Sequence, residues 1–303
     1  MANAPRTHPL ALVALLAMTA AWGSTFFMIK DLLTRLPVTD MLAVRFAIAS
    51  VVLLVVAGKH LRMSAQTLRA GVLLGLLYGV GQLLQTVGLA HTAASVSGFI
   101  TGLYVVATPL LGALILRTRV SATTWLAVGL ATVGLGVLSL HGLSVGYGEL
   151  LTAISAVAYA GHIIAMGRLS GPGTAMSLTL VQMLVITAVC TVAALPNGIQ
   201  LPASGGDWLV LLYLAVIAGA LTMFLQTWAQ AHIDPTRAAV VMSMEPVWAA
   251  AFAVALGGES ATARMVLGGL SILTAMYLVE LAPRKNPPTS PVLPASSGVS
   301  QRN

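Results

Sequence analysis

The chain has 303 residues, 58% of them hydrophobic and only 8% charged, with a formal net charge of +7. No soluble core holds that much apolar surface, and the apolar runs fill the chain so fully that no soluble catalytic domain fits beside them. A positive balance that would suggest nucleic acid in a soluble protein has a simpler origin here, because cytoplasmic loops of membrane proteins collect Lys and Arg.

A bilayer's hydrocarbon core is about 30 Å thick, which about 20 helical residues cross. Apolar runs of that length predict ten transmembrane helices, at 10–29, 41–57, 68–89, 97–116, 121–140, 149–166, 174–195, 207–229, 238–256 and 264–281. The loops are short, so neighbouring spans run antiparallel. The first run follows Arg6 and continues through Phe27 and Ile29, longer than a leader's apolar region, and reads as an uncleaved first span. Residues 1–9 form a short N-terminal tail. Residues 283–303, rich in Pro and Ser, read as a disordered tail. With the N-terminus inside, eleven Lys and Arg fall on the cytoplasmic side and three (Lys30, Arg35, Arg264) outside, so both termini are expected in the cytoplasm. The multi-pass chain is expected in the plasma (inner) membrane. Cys190 is the only cysteine, which excludes an internal disulfide and a CxxC metal site.

The chain is written twice. The run from Gln85 to His91 matches the run from Gln226 to His232 at four of seven positions, at a constant offset of 141 that Ser95 and Thr236 keep. Thr108-Pro109 and Glu245-Pro246 recur deep in spans four and nine. Trp22 in span one faces Tyr159 in span six. Residues 10–140 and 147–282 are therefore expected to be two copies of a five-helix unit. Five is odd, so the second copy enters the membrane inverted, the architecture of many secondary carriers with a substrate site near the midplane.

Trp22-Gly23-Ser24-Thr25-Phe26, Arg45-Phe46, Glu245-Pro246, Gly257-Gly258-Glu259-Ser260 and Gly268-Gly269 occur in order. In this set the chain resembles the drug/metabolite transporter superfamily, EamA type, over about residues 10 to 282. The resemblance implies export of small metabolites from the cytoplasm. One departure stands out. The family often carries a Glu after the fourth helix, as Glu259 follows the ninth, and this chain has Leu116-Arg117-Thr118-Arg119 there.

Several residues are candidates for transport. A charge near a helix centre costs about 2.5–3.5 kcal/mol to insert, so Glu245 is expected to face a cavity or a partner. It could couple protons or bind an amine, or be a protonated, hydrogen-bonded packing residue. Pro246 beside it frees a carbonyl near Met242, and with Pro109 it is a candidate helix break. Arg45 could snorkel, pair with Asp40 or Asp31, or bind a carboxylate through its planar fork. His162 could relay protons or bond a neighbour inside the bundle. His91 and His232 sit in equivalent loops, with loop contact or capping as the expectation. Trp22 and Tyr159 lie near the midplane and could line a cavity or pack. Tyr78, Gln82 and Gln85 share one helix face, expected to point inward. Tyr104, Thr108 and Gln226 add hydrogen-bonding groups. Gly71, Gly75 and Gly79, like Gly98 and Gly102, repeat every four residues and let helices approach closely, within one subunit or at a homodimer seam.

An integral-membrane enzyme is the rival class. Asp-rich clusters, HExxH and GxSG are all missing from the sequence. A channel has no need of the inverted repeat. The expectation is an alternating-access carrier exporting small organic metabolites, amino acids first, with cationic or amphipathic drugs as the alternative. No cofactor and no nucleic-acid partner are implied, and without ATP-binding motifs the energy comes from gradients, protons included.

Overall fold

The computed structural model describes residues 9–58, 63–116, 121–141, 144–170, 173–230 and 241–281. It is built of helices: α1 Pro9–Leu32, α2 Val38–Ala57, α3 Ala65–Ala90, α4 Ala94–Thr101, α5 Tyr104–Leu116, α6 Ala122–Ser139, α7 Tyr147–Leu169, α8 Ala175–Ala194, α9 Gly205–Leu212, α10 Thr222–Gln230, α11 Glu245–Ala255 and α12 Ala263–Leu281. A nine-residue π segment, Tyr213–Leu221, joins α9 to α10 without a break in the span. The exception to the helices is a strand pair of two residues each, Leu140–His141 against Ser144–Val145.

Among the described residues, seven helices are long and apolar enough to cross a membrane, and three shorter apolar ones, Ala122–Leu138, Glu245–Ala255 and Ala263–Leu278, accompany them. The expected start of span nine (238–240), His232 and both tails lie outside the described residues. Burial is inverted relative to a soluble protein. Val55, Leu114 and Leu209 are 80%, 74% and 70% exposed, while Gln82, Gln182, Gln226, Arg45 and Glu245 are buried. That arrangement suits a hydrocarbon solvent, where outward apolar chains cost nothing and polar groups need internal partners. This is an all-α, multi-pass membrane protein.

Helix ends carry local signals. Ser64 caps α3 by accepting from Thr67 N at 3.1 Å, and Ser204 caps α9 by accepting from Asp207 N at 3.0 Å. Outside the spans, Arg35 binds Asp31 and Asp207 at 2.6 and 2.8 Å. These bonds, that to Asp31 first, hold its pKa above the usual guanidinium value.

Close helix approaches explain the small-residue ladders. A Cβ on Gly71 would sit 2.6 Å from Val181, and one on Gly75 2.7 Å from Val185, so this ladder seats α8 within one chain. A Cβ on Gly98 would sit 2.5 Å from that of Ala249, where α4 meets α11. Gly88 is hemmed in partly by backbone. Its added Cβ would meet Thr152 Oγ1 at 2.4 Å and the backbone oxygen of Gly148 at 2.6 Å. A backbone oxygen cannot rotate away, so Gly88→Ala is expected to destabilise the α3–α7 pair by about 1–3 kcal/mol. Gly112→Ala, where nothing lies within 4 Å of the new Cβ, is the control. The unfolding temperature of the two variants in detergent checks this.

Candidate functional site

The described chain turns just ahead of two helices, α5 and α11, and it does so at equivalent places. Between α4 and α5 the chain turns at Gly102–Leu103, and before α11 it turns at Ser243–Met244. These positions are 141 residues apart, the offset of the sequence repeat. At both turns the backbone tightens to bonds three residues back: Leu103 N to Ile100 O, Val105 N to Gly102 O, and Met244 N to Val241 O.

This corrects the expected role of Pro109. It lies inside α5, six residues beyond Leu103, and is not at the break. Pro246 is the second residue of α11, in the first turn. There its missing N–H would be unpaired in any case, and its fixed φ suits a helix start. The break precedes it by two residues.

The residues that begin α5 and α11, Tyr104 and Glu245, meet. Tyr104 Oη donates to Glu245 Oε2 at 3.3 Å and to Met242 O at 3.4 Å. The carbonyl freed four residues before Pro246 is thus taken by a side chain, and Met242 itself lines a cavity.

Tyr104 and Glu245 line the same cavity. Trp22, Arg45, Tyr78, Gln82, Gln85, Tyr159, His162 and Gln226 line it as well, so ten of the polar or aromatic candidates read from sequence converge there, whereas Thr108 turns its Oγ1 back to Tyr104 O at 2.7 Å and is not in the lining. Sequence reading missed Thr25, Phe26, Ile29, Thr101 and Ile163 as lining residues. The first two lie within the Trp22–Phe26 motif, whose members now have separate places. Gly23 admits Trp248, whose Cβ would lie 2.4 Å from a Cβ there, and Ser24 Oγ bonds Tyr213 Oη at 2.9 Å.

One wall is a hydrogen-bond chain. Gln82 Nε2 donates to Tyr159 Oη at 2.8 Å and to Tyr78 Oη at 3.2 Å. Tyr159 Oη donates to Gln85 Oε1 at 2.8 Å, and Gln85 Nε2 donates to Thr101 Oγ1 at 3.0 Å, one residue before the break. The Tyr78 ring lies 5.6 Å from that of Tyr159 and 5.3 Å from His162. His162 Nε2 bonds Gln182 Oε1 at 2.7 Å, while Gln182 Nε2 donates to Leu178 O. The imidazole is therefore the donor, which leaves Nδ1 without that proton in the neutral ring. The inward face of Tyr78, Gln82 and Gln85 meets both another helix and the cavity.

Two further lining residues hang on the π segment, which sequence did not reveal. Two of its carbonyls accept from cavity side chains. Arg45 Nε donates to Leu214 O at 3.0 Å, and Trp22 Nε1 donates to Ala218 O at 3.1 Å and to Thr222 Oγ1 at 2.8 Å. π turns recur at functional sites because they redirect backbone groups in this way.

Arg45 is 3% exposed, and among the described residues no carboxylate pairs with it. The partners expected from sequence are engaged elsewhere. Asp31 binds Arg35, and Asp40 accepts from Thr39 Oγ1 and from Gln200 N at 3.0 Å each. Among the described residues, Gln226 Oε1 is buried with no hydrogen-bond partner. The cavity thus presents a guanidinium, a carboxyl and an unused acceptor between aromatic walls. His91 packs edge-on against Tyr147 at 5.3 Å, away from the cavity lining, as a loop contact. Among the described residues no cluster of His, Cys, Asp or Glu could hold a metal ion.

Comparison with known proteins agrees with this architecture. The model of the EamA-like transporter family matches residues 9–140 and 146–281. A protein of Archaeoglobus fulgidus described as an uncharacterized transporter is 30% identical over 273 residues, covering 90% of this chain and 84% of its own. The Escherichia coli K12 protein described as the uncharacterized inner membrane transporter YedA is 26% identical over 278 residues, covering 88% of this chain and 90% of its own. A solved structure titled only "Crystal structure of protein" shares the fold at a TM-score of 0.67 and 15% identity, covering 90% of this chain and 96% of that one. The Archaeoglobus and Escherichia proteins are named as transporters, not enzymes.

Proposed function

The chain belongs to the EamA-like transporter family, and from that membership we propose a secondary carrier that exports small organic metabolites from the cytoplasm by alternating access. The observation that carries this reading is the cavity where α5 and α11 begin, lined by Arg45, Glu245, Tyr104 and Gln226. Secondary carriers place substrate between two repeats near the midplane, at half-helix ends. The constant offset of 141, kept by the Gln85–Gln226 pair and by both breaks, supports two inverted five-helix repeats and ten spans.

The substrates are amino acids and related zwitterions. Arg45 offers a planar fork to a carboxylate, and Glu245 with the free acceptor of Gln226 offers oxygen to an ammonium. The aromatic walls of Trp22, Tyr78 and Tyr159 favour a second reading, a cationic or amphipathic drug held by its charge at Glu245 and its rings against theirs. Glu245 is also the coupling candidate, exchanging a proton as substrate leaves. On the ten-span topology with the N-terminus inside, eleven of the fifteen Lys and Arg would lie on the cytoplasmic side, which supports cytoplasmic termini and the cell (inner) membrane as the location.

Counterflow in proteoliposomes tests the reading. Vesicles are preloaded with unlabelled amino acids, nucleosides or cationic drugs, and uptake of each labelled species is recorded. Stimulated uptake of an amino acid supports the first reading, and of cationic drugs alone the second. A folded protein that exchanges nothing across the panel overturns both.

A further inference from the structure

Three charged side chains converge on the short turn between α3 and α4. Lys30 of α1 donates from Nζ to Leu89 O and Ala90 O, both at 2.9 Å. Those are the last carbonyls of α3, where a cation is favoured. Glu149 of α7 accepts from Thr92 Oγ1 at 2.9 Å. Glu259, beyond α11, accepts from Ala94 N at 2.6 Å, from Ser95 N at 3.3 Å and from Ser95 Oγ. It thus takes up the first free N–H groups of α4, where an anion is favoured. Lys30 and Glu259 also attract each other across the turn.

The backbone is shaped to deliver Glu259. Gly258 has a φ of +72°, which side-chain-bearing residues avoid, and it reverses the chain after α11. Gly257 allows close packing on Phe27 of α1, whose Cβ would lie 2.9 Å from a Cβ there.

Lys30 binds within its own half of the chain, whereas Glu259 comes from the second half and holds the first. Such bonds must part before this end of the bundle opens. Glu259 is only half-buried, so water can take over its hydrogen bonds when it lets go. The sequence supplies this acid in one half alone: 141 residues earlier stands Thr118, flanked by Arg117 and Arg119.

We infer that Glu259 is a positioning residue for transport, a clasp that holds the Lys30 end of the bundle closed by gripping the start of α4. The inference rests on the alternating-access reading. A cysteine introduced at cavity-lining Ile29 reports which end is open, because Cys190, the only native cysteine, is fully buried. Its labelling by a membrane-impermeant maleimide is timed in right-side-out and in inverted vesicles, with and without Glu259→Gln. Glu259→Gln is expected to speed labelling from one face by about tenfold and slow it from the other, since charge-assisted bonds are lost. Ser95→Ala, which removes one of the three bonds, is expected to shift the same balance less.

Labelling rates unchanged from both faces in Glu259→Gln overturn the clasp. If that variant fails to reach the membrane, unchanged rates in Ser95→Ala overturn it. Counterflow by the parent chain is scored separately. A parent that exchanges while labelling stays unmoved loses the clasp and keeps the carrier. A parent that never exchanges while labelling shifts loses the carrier and keeps the clasp.

Discussion

Replacing Arg45 by Met is expected to leave the protein as stable as before or more so, and to abolish counterflow of carboxylate-bearing substrates. A guanidinium near a helix centre costs about 2.5–3.5 kcal/mol on insertion scales. Arg45 recovers part of this from one hydrogen bond, to Leu214 O, and among the described residues it has no counter-ion. Its contact with the Phe46 ring at 5.1 Å adds little. Met is similar in length and carries no charge, so the exchange is expected to release about 1–3 kcal/mol. Leu214 O keeps its place in the π segment and loses only a second donor. A structural arginine behaves in the opposite way, because removing one partner of a satisfied pair is strongly destabilising.

Transport falls for a different reason. Losing a bidentate, charge-assisted contact to substrate is expected to lower carboxylate exchange about 100-fold. Arg45→Lys keeps the charge without the fork and is expected to raise KM about tenfold. The check is apparent Tm in detergent beside counterflow of matched substrates with and without a carboxylate. A lower Tm together with equal loss for both substrates makes Arg45 structural.

Much of this site was legible because hydrocarbon makes polar residues conspicuous. Arg45, Glu245 and His162 stand out in apolar runs, and each had to find a cavity or a partner. The spacing of Tyr78, Gln82 and Gln85 fixed their common face, since four and three residues each bring a helix round by about one turn. The breaks were less legible. Proline pointed to Pro109, but the chain turns at Gly102–Leu103, where only the repeat offset could have placed it.

The π segment left no mark in the sequence, as Tyr213–Leu221 is an ordinary apolar stretch. Its carbonyls are taken by side chains 169 and 196 residues away. Such long-range partners are invisible to local patterns. The same holds for Arg45. Nearby acids suggested an ion pair, and only the fold shows Asp31 and Asp40 occupied elsewhere.

Glu245→Gln is expected to retain exchange and to lose its response to a proton gradient. The side chains are nearly isosteric, and the amide oxygen still accepts from Tyr104 Oη, so α11 keeps its first turn. Counterflow, which needs no net proton movement, is expected to fall by no more than about tenfold, the difference between a charged and a neutral hydrogen bond. Accumulation driven by a pH gradient is expected to vanish. If Glu245 takes a proton from the acidic side and releases it to the other, an acidic exterior drives export in the parent chain, and the amide, which cannot titrate, removes that drive. Parent counterflow is expected to vary with symmetrical pH, whereas the variant's stays flat. Glu245→Ala behaves differently, since it removes the carboxyl that Tyr104 Oη donates to and enlarges the cavity, and exchange itself is expected to fail. Vesicles containing a pH-sensitive dye measure proton movement directly as substrate crosses. A parent chain that exchanges substrate with no proton movement, and whose flux ignores the gradient, removes coupling from Glu245 and leaves it to bind the substrate's amine.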